Sequence, residues 1–173
     1  MAYADTLSGD IEIRIHPKIV TTEGNINGIR DALFKAIVRL SDGSGSGAAT
    51  GFFMTAATIT TGGVTLSLAD SADPLGAAGD DTPTMDPEGL KLKCIAIKNK
   101  DTTNYVTVKR ATTTGDANIF SGSTDTMRID PNGGFFIWYS PAGSNAMSDG
   151  VDDELTLTAD TASCSCDILY IFG

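Results

Sequence analysis

The segment LKLKCIAIKNKDTTNYVTVKR, residues 90–110, contains two apolar runs joined by a short polar corner. Val, Ile and Thr suit the pleated, half-buried surface of a sheet, while Asn and Asp favour tight turns. Apolar and polar side chains alternate along the runs, as they do in strands that bury one face. The segment therefore predicts a β-hairpin whose apolar positions enter a core. Its Lys side chains are predicted to lie on a solvent face or at a protected edge.

The chain beyond residue 50 repeats this pattern of short runs separated by turn residues. FFMTAATIT and GGVTLSL, which meet at Gly62–Gly63, predict a second hairpin. The final run, CSCDILYIFG (164–173), is apolar enough to form a central strand. Further predicted strands are ANIF (117–120), TMRID (126–130), FFIWYS (135–140) and ELTLTAD (154–160).

The amino-terminal third has a different pattern. IEIRI (11–15) alternates apolar and charged residues and predicts a strand that ends near Pro17. NINGIRDALFKAIVRLSDGSGSG (25–47) predicts a helix that stops at Gly43, although KAIVRL alone also suits a strand. The apolar positions at helical spacing are Ile29, Leu33, Ile37 and Leu40.

These patterns predict an all-β fold, an antiparallel β-sandwich or jelly-roll-like domain with one short helix in the amino-terminal third. Residues 1–50 are expected to form an arm, a strand, the helix and a Gly/Ser loop. Residues 51–173 are expected to form the β-sandwich domain, and both parts are expected to make one compact unit.

The charge balance limits the possible partners. The chain carries 12 Lys and Arg against 22 Asp and Glu, a formal net charge of -10. Nucleic-acid binding needs a local excess of cations, so we expect no nucleic-acid partner. No run approaches the roughly 18 apolar residues that span a bilayer, and the first residues do not resemble a targeting signal. We therefore expect no membrane partner and synthesis in the cytoplasm.

Residues capable of catalysis or metal binding are few. The chain has one histidine, His16, and no nucleophile-elbow motif accompanies it. The three cysteines cannot all pair with one another, and we predict buried free thiols in a reducing compartment. The sequence predicts no catalytic residue, no cofactor and no enzyme, although a carboxylate pair for glycoside hydrolysis stays open.

Acidic loops are the only candidate metal sites. Calcium prefers several oxygen ligands on a flexible loop, and Asp149, Asp152 and Asp153 are weak candidates for such a site. The acidic segment 69–89 is a second conceivable site, but neither loop matches the EF-hand pattern. Solvated acidic loops are the favoured interpretation of both.

The most aromatic strand, FFIWYS, supplies the candidate interface residues. On a strand, alternate side chains face opposite ways, so both faces of this one are apolar. This predicts either burial on both sides or one side in the core and the other against a partner. The interface candidates are Phe135, Phe136, Trp138 and Tyr139.

The layout of residues 55–173 resembles small virion structural proteins of tailed double-stranded-DNA bacteriophages. The order is TLSLADS, an acidic loop, LKCIAIKNKDTTNYVTVKR, MRIDPNGGFFIWYSP and a closing CDILYIFG. In that family a strand ending in an Ile-Lys-Asn corner precedes a Pro- and Gly-containing turn and a last apolar strand.

The resemblance implies a function in assembly and no catalytic residues. It implies a decoration or cement protein on the capsid exterior, with the major capsid protein and its own copies as partners. Identical copies usually form closed rings, and a trimer is the expected one. The alternative is a tail, neck or fibre module of the virion, which could bind glycans.

Overall fold

The computed structural model describes most of the chain, but not every residue. The described residues are 9–15, 18–23, 26–31, 34–43, 45–68, 89–111, 119–122, 124–144, 146–148 and 154–173.

The amino-terminal strands pair mainly with one another. They are β1 (Gly9–Ile15), β2 (Lys18–Glu23), β3 (Ile26–Asp31) and β4 (Phe34–Asp42). β1 pairs antiparallel with β4, and β2 pairs antiparallel with β3. β4 then pairs parallel with the two-residue strand β5 (Ala48–Ala49), which leads into the rest of the chain.

The helix predicted within residues 25–47 is wrong, because β3 and β4 occupy that segment. Of the apolar positions chosen for their helical spacing, Ile37 and Leu40 lie on opposite sides of β4, as the competing strand interpretation of KAIVRL required. Ile37 and Arg39 are exposed in β4 while Leu40 is buried, so period two prevails there. No residue that the structure describes is helical, and none therefore forms a helix able to cross a membrane.

Residues from Gly51 onward form two antiparallel four-stranded sheets. Sheet I has the order β10-β9-β12-β7 and sheet II the order β11-β8-β13-β6. The strands are β6 (Gly51–Ile59), β7 (Val64–Ser67), β8 (Leu92–Asn99), β9 (Val106–Arg110), β10 (Thr126–Ile129), β11 (Phe135–Tyr139), β12 (Glu154–Ala159) and β13 (Cys164–Phe172).

The strand pairing is nested along the chain. β6 pairs with β13, β7 with β12, β8 with β11, and β9 with β10. β13 lies between β8 and β6, so the prediction of a central last strand is confirmed.

Both predicted hairpins are wrong in the same way. β8 and β9, the two runs of residues 90–110, belong to different sheets, and so do β6 and β7. The polar corners therefore carry the chain from one layer of the sandwich to the other. A short turn between two strand-like runs looks the same in sequence whether the runs pair or cross over.

The core lies between the two sheets and follows the alternation of their strands. Sheet I contributes Val106, Val108, Leu155 and Leu157, and all four are fully buried. Sheet II contributes a second set to the same cluster, and the set consists of Ala57, Ile59, Leu92, Ile95, Ile97, Phe136, Cys164, Cys166, Ile168, Tyr170 and Phe172.

The corner after β8 is held by a buried amide. Asn99 is fully buried, and its Nδ2 donates to the carbonyl oxygens of Asn104 (2.9 Å) and Ile129 (3.3 Å). Its Oδ1 accepts the backbone N–H of Asp101 at 2.9 Å. The Asp101 carboxylate accepts the backbone N–H groups of Asn104 and Thr103, and these bonds lower the pKa of Asp101. The corner is therefore a closed polar network beside the core.

Candidate functional site: the outer face of sheet II

The outward sides of the two sheets differ in chemistry. On sheet I the outward side chains alternate along their strands with core residues. They include Thr107, Lys109, Thr156 and Thr65, and the pairing of the strands places Thr156 between Lys109 and Thr65. A polar outward side is what a solvated antiparallel sheet requires. Sheet II instead presents mostly apolar side chains on its outward side.

We call this apolar surface the outer face and define it by three rows of paired residues that cross sheet II. Every member alternates along its strand with residues that point into the core. The first row is Tyr139, Cys94, Ile171 and Phe52; the second is Ile137, Ala96, Leu169 and Met54; the third is Phe135, Lys98, Asp167 and Ala56.

Three large apolar side chains of the outer face are open to solvent, and its other large apolar side chains are half-buried. Phe52 is 53% exposed, Met54 72% and Phe135 63%. They lie on the two edge strands of the sheet, whereas Cys94 on the central strand β8 is only 2% exposed. Exposed apolar patches of this kind mark contact surfaces in soluble proteins.

Charge is confined to one end of the outer face. Lys98 and Asp167 are register partners in the third row. The Lys100 ammonium lies 2.5 Å from Asp167 Oδ1, just beyond that row. An apolar centre with a charged rim is the usual composition of a protein–protein interface.

The structure divides the predicted interface residues between the two sides of β11. Phe135 and Tyr139 lie on the outer face, as alternation required. Phe136 is buried in the core, where its ring stacks on Phe120 with centroids 5.9 Å apart. Trp138 packs against the same core. Of the four candidates, Phe135 and Tyr139 are therefore the two on the outer face.

Phe52 and Met54 belong to the outer face but were not predicted as interface residues. Their strand, GFFMTAATI, has no charged residue over nine positions. An uncharged edge strand whose odd-numbered and even-numbered positions both include apolar residues indicates apolar side chains on both faces of the sheet. This pattern could have identified Phe52 and Met54 as exposed apolar residues.

The cysteines are free thiols, as predicted, and all are buried. Cys94 lies in the first row beneath its larger neighbours, and burial raises its pKa to about 11. Cys166 lies in the core, and burial, with smaller contributions from Cys164 and Asp167, raises its pKa to about 12. Both thiols are therefore protonated at neutral pH, and a thiol in that form is a poor nucleophile.

Lys93 departs from the prediction of a solvent-facing side chain. Only 1% of it is exposed, and its ammonium donates to the carbonyl oxygens of Gly45 (3.2 Å) and Pro141 (3.4 Å). Burial, followed by the nearby charge of Lys91, lowers the pKa of Lys93. Counted from the core residues Ile95 and Ile97, alternation places Lys93 on the inner side of β8, and the register shift between Ile171 and Phe172 lies beside it.

The predicted calcium ligands Asp149, Asp152 and Asp153 lie outside the described residues, and so does nearly all of the acidic segment 69–89. Within the described part of the chain, no group of three or more His, Cys, Asp or Glu side chains is placed to share a metal ion.

Comparison with known proteins adds no relative. No protein-family model matches the chain, and a search of curated proteins finds no match.

Proposed function

We propose that the protein is a non-enzymatic structural component of a tailed-bacteriophage virion. Its role is that of a decoration or cement protein, which stabilises the head by bridging major capsid subunits on the exterior. The observation that carries the assembly role is the outer face of sheet II, because an exposed apolar sheet surface needs a protein partner. The virion assignment itself derives from the sequence resemblance.

The strand order supports this proposal. We propose that the eight strands β6 to β13 form a jelly roll, the double-sheet arrangement in which a long hairpin rolls up on itself. The nested pairing, first strand with last and fourth with fifth, has that character. Jelly rolls occur in viral capsid and lectin domains. The same fold can have many functions, so the fold alone does not choose between assembly and sugar binding. The apolar outer face is the feature that favours assembly.

The charge distribution is compatible with a protein that assembles onto the surface of a particle. A net charge of -10 keeps free copies apart and soluble before assembly. The outer face itself carries one Lys and one Asp, so the repulsion originates elsewhere on the molecule. Docking through the outer face therefore buries little unbalanced charge.

The test is the location of the protein in virions purified from the phage or prophage whose genome encodes it. We expect the chain in the particle by mass spectrometry, and its density on the head exterior by cryo-microscopy. Its absence from purified virions would refute the structural role.

Density in the neck, tail or fibres would instead support the alternative, a tail-side module of the same virion. In that case a glycan array, probed with and without a chelator, would test whether the module binds sugar. Neither result depends on the oligomeric state of the free protein.

A further inference from the structure

We infer that β6, an edge strand of sheet II, pairs antiparallel with β6 of a second copy of this chain. A two-fold axis perpendicular to the sheet passes through Thr55, and two four-stranded sheets become one continuous sheet. The outer faces of the two copies then lie side by side, and neither is covered by the pairing. The inference goes beyond the proposed function and holds whether or not the chain belongs to a virion.

The backbone of β6 has a free edge without the usual protection. Edge strands present unpaired N–H and C=O groups, and proteins protect them by shortness, charge or proline. β7 and β10 have four residues each and β11 has five, whereas β6 has nine, none of them charged and none of them proline. Within the described part of the chain, β13 is the only strand that pairs with β6. Its other edge is therefore open to an added strand.

The charge distribution favours a second copy as the source of that strand. The chain has no charged residue between Asp42 and Asp70, although its formal net charge is -10. This uncharged segment contains β6 and β7, which are edge strands of the two sheets. Both lie on the same side of the sandwich, because β10 and β11, at the opposite edges of the two sheets, contact each other. Two acidic copies can therefore meet along this side without bringing like charges together.

The sizes of the β6 side chains fit pairing with a second β6. Three bulky residues, 52–54, precede Thr55, and three small ones, 56–58, follow it. Antiparallel pairing about Thr55 thus sets the bulky residues of each copy opposite the small ones of the other. The pairs are Phe52 with Thr58 of the partner subunit, Phe53 with Ala57 of the partner subunit, Met54 with Ala56 of the partner subunit, and Gly51 with Ile59 of the partner subunit.

The same sizes fix the register. With the axis at Thr55, the central pair is Thr with Thr, a combination that stabilises neighbouring strands. An axis at Met54 would set Met54 against Met54 of the partner subunit. An axis at Ala56 would set Phe53 against Ile59 of the partner subunit. Only the axis at Thr55 avoids a pair of two bulky residues.

The pairing keeps each side chain on its own side of the sheet. Odd-numbered residues of β6 face the core and pair with odd-numbered residues, so core meets core and outer face meets outer face. Phe53 gains most from this arrangement. Its ring packs at the margin of the core, 5.2 Å from the ring centroid of Tyr170, and is only partly buried. Ala57 of the partner subunit would cover its open side.

Main-chain hydrogen bonds supply most of the affinity when a strand is added to a sheet. Nine residues of β6 give an edge about 30 Å long, from the usual rise per residue. β6 is already held in extended form by β13, so little backbone entropy is lost when a second strand joins it. We therefore expect a monomer–dimer equilibrium that depends on concentration.

The first experiment is light scattering coupled to size exclusion, on the full chain over a concentration series. Thr58→Lys places a charge within the paired strands and should raise the dissociation constant of the dimer about tenfold or more. Thr126→Lys is the matched control, at an exposed position of the edge strand β10 on the opposite side of the sandwich. It should leave the dimer intact. Thermal melts at high dilution separate loss of dimer from loss of fold.

The second experiment tests the register by cross-linking with a short bismaleimide. Copies that carry Phe52→Cys are mixed with copies that carry Thr58→Cys, since the pairing sets these two exposed positions opposite each other. The mixture should cross-link. Either variant alone should not, because its two thiols lie six positions apart along the strands, about 20 Å. The three native cysteines are at most 2% exposed and do not compete.

Several results would overturn the inference. A strict monomer at every concentration would do so, as would a dimer that Thr58→Lys leaves unchanged, and a trimer or longer polymer would contradict the two-fold pairing. Equal cross-linking of the mixture and of the single variants would contradict the register. The proposed function is judged separately: a dimer absent from virions would refute it, and a monomer found on heads would retain it.

Discussion

Lys93 was predicted to face solvent, yet it is buried and hydrogen-bonded. Its two acceptors already have other donors, since Gly45 O accepts the Ala48 N–H and Pro141 O accepts the Gly47 N–H. Removing the ammonium therefore orphans neither carbonyl. The aliphatic part of the Lys93 side chain is buried beneath the loops that contain Gly45 and Pro141. Loss of this aliphatic part should therefore lower the free energy of unfolding.

We therefore predict opposite outcomes for two substitutions of Lys93. Lys93→Met keeps the stem and removes a buried charge, so the free energy of unfolding should change by less than about 1 kcal/mol. Lys93→Ala leaves a cavity and should cost about 2–4 kcal/mol. Chemical denaturation of both variants measures the difference. An equal loss in the two variants would mean that the hydrogen bonds of the ammonium dominate.

The interface candidates show how much of the candidate site can be predicted from the sequence. FFIWYS indicated apolar residues on both faces of a strand, and the structure has both. Sequence does not reveal which face meets the core, because Phe135 and Phe136 are the same residue type in adjacent positions. That choice depends on the register with β8, which is a long-range property.

At the scale of elements, clear alternation was a sound guide. ELTLTA and CSCDILYIF alternate in sequence and in burial, and both are strands. The segment 25–47 misled because its apolar residues fit the helical period of 3.6 and, in part, also the strand period of two. Long-range pairing of β4 with β1 makes this part of the chain a strand. The corners misled because a short polar turn can close a hairpin or connect one sheet to the other equally well.

The turn between β10 and β11 has a glycine with no room for a side chain. A Cβ on Gly134 would overlap the backbone of Asp130, whereas a Cβ on Gly45 would meet nothing within 4 Å. We predict that Gly134→Ala lowers the free energy of unfolding by about 3 kcal/mol or more, or roughly 6–12 °C in Tm. Gly45→Ala is the matched control.

A thermal melt followed by circular dichroism compares the two glycine variants. The control should unfold within about 2 °C of the wild type, because surface changes are usually small. Equal melting temperatures for the two variants would show that the turn relaxes around the added carbon.

For the whole molecule, the sequence predicted two packed β layers, and long-range contacts join residues 43–50 to them. The segment before Gly51 is tied to the sandwich: Thr50 N–H donates to Phe172 O at 2.7 Å, and Gly47 N–H donates to Pro141 O at 3.0 Å. Gly173 packs closely against Gly43 and Ala49. These contacts join residues far apart in the chain, so local patterns could not predict them.

We predict that a fragment beginning at Gly43 is more stable than one beginning at Gly51. The shorter fragment lacks the Gly45 acceptor of Lys93 and the Thr50 hydrogen bond, and should lose about 1–3 kcal/mol. Urea denaturation of both fragments measures the difference. Identical midpoints would mean that residues 43–50 contribute nothing to the sandwich.

The nested pairing has a consequence for how the chain acquires its structure during synthesis. β6 leaves the ribosome early, but its partner β13 is translated last of the eight strands. The apolar GFFMTAATI segment must therefore wait, unpaired, while the intervening strands are made. Folds dominated by such distant contacts form slowly, in milliseconds to seconds. We expect the nascent chain to depend on chaperones during that interval.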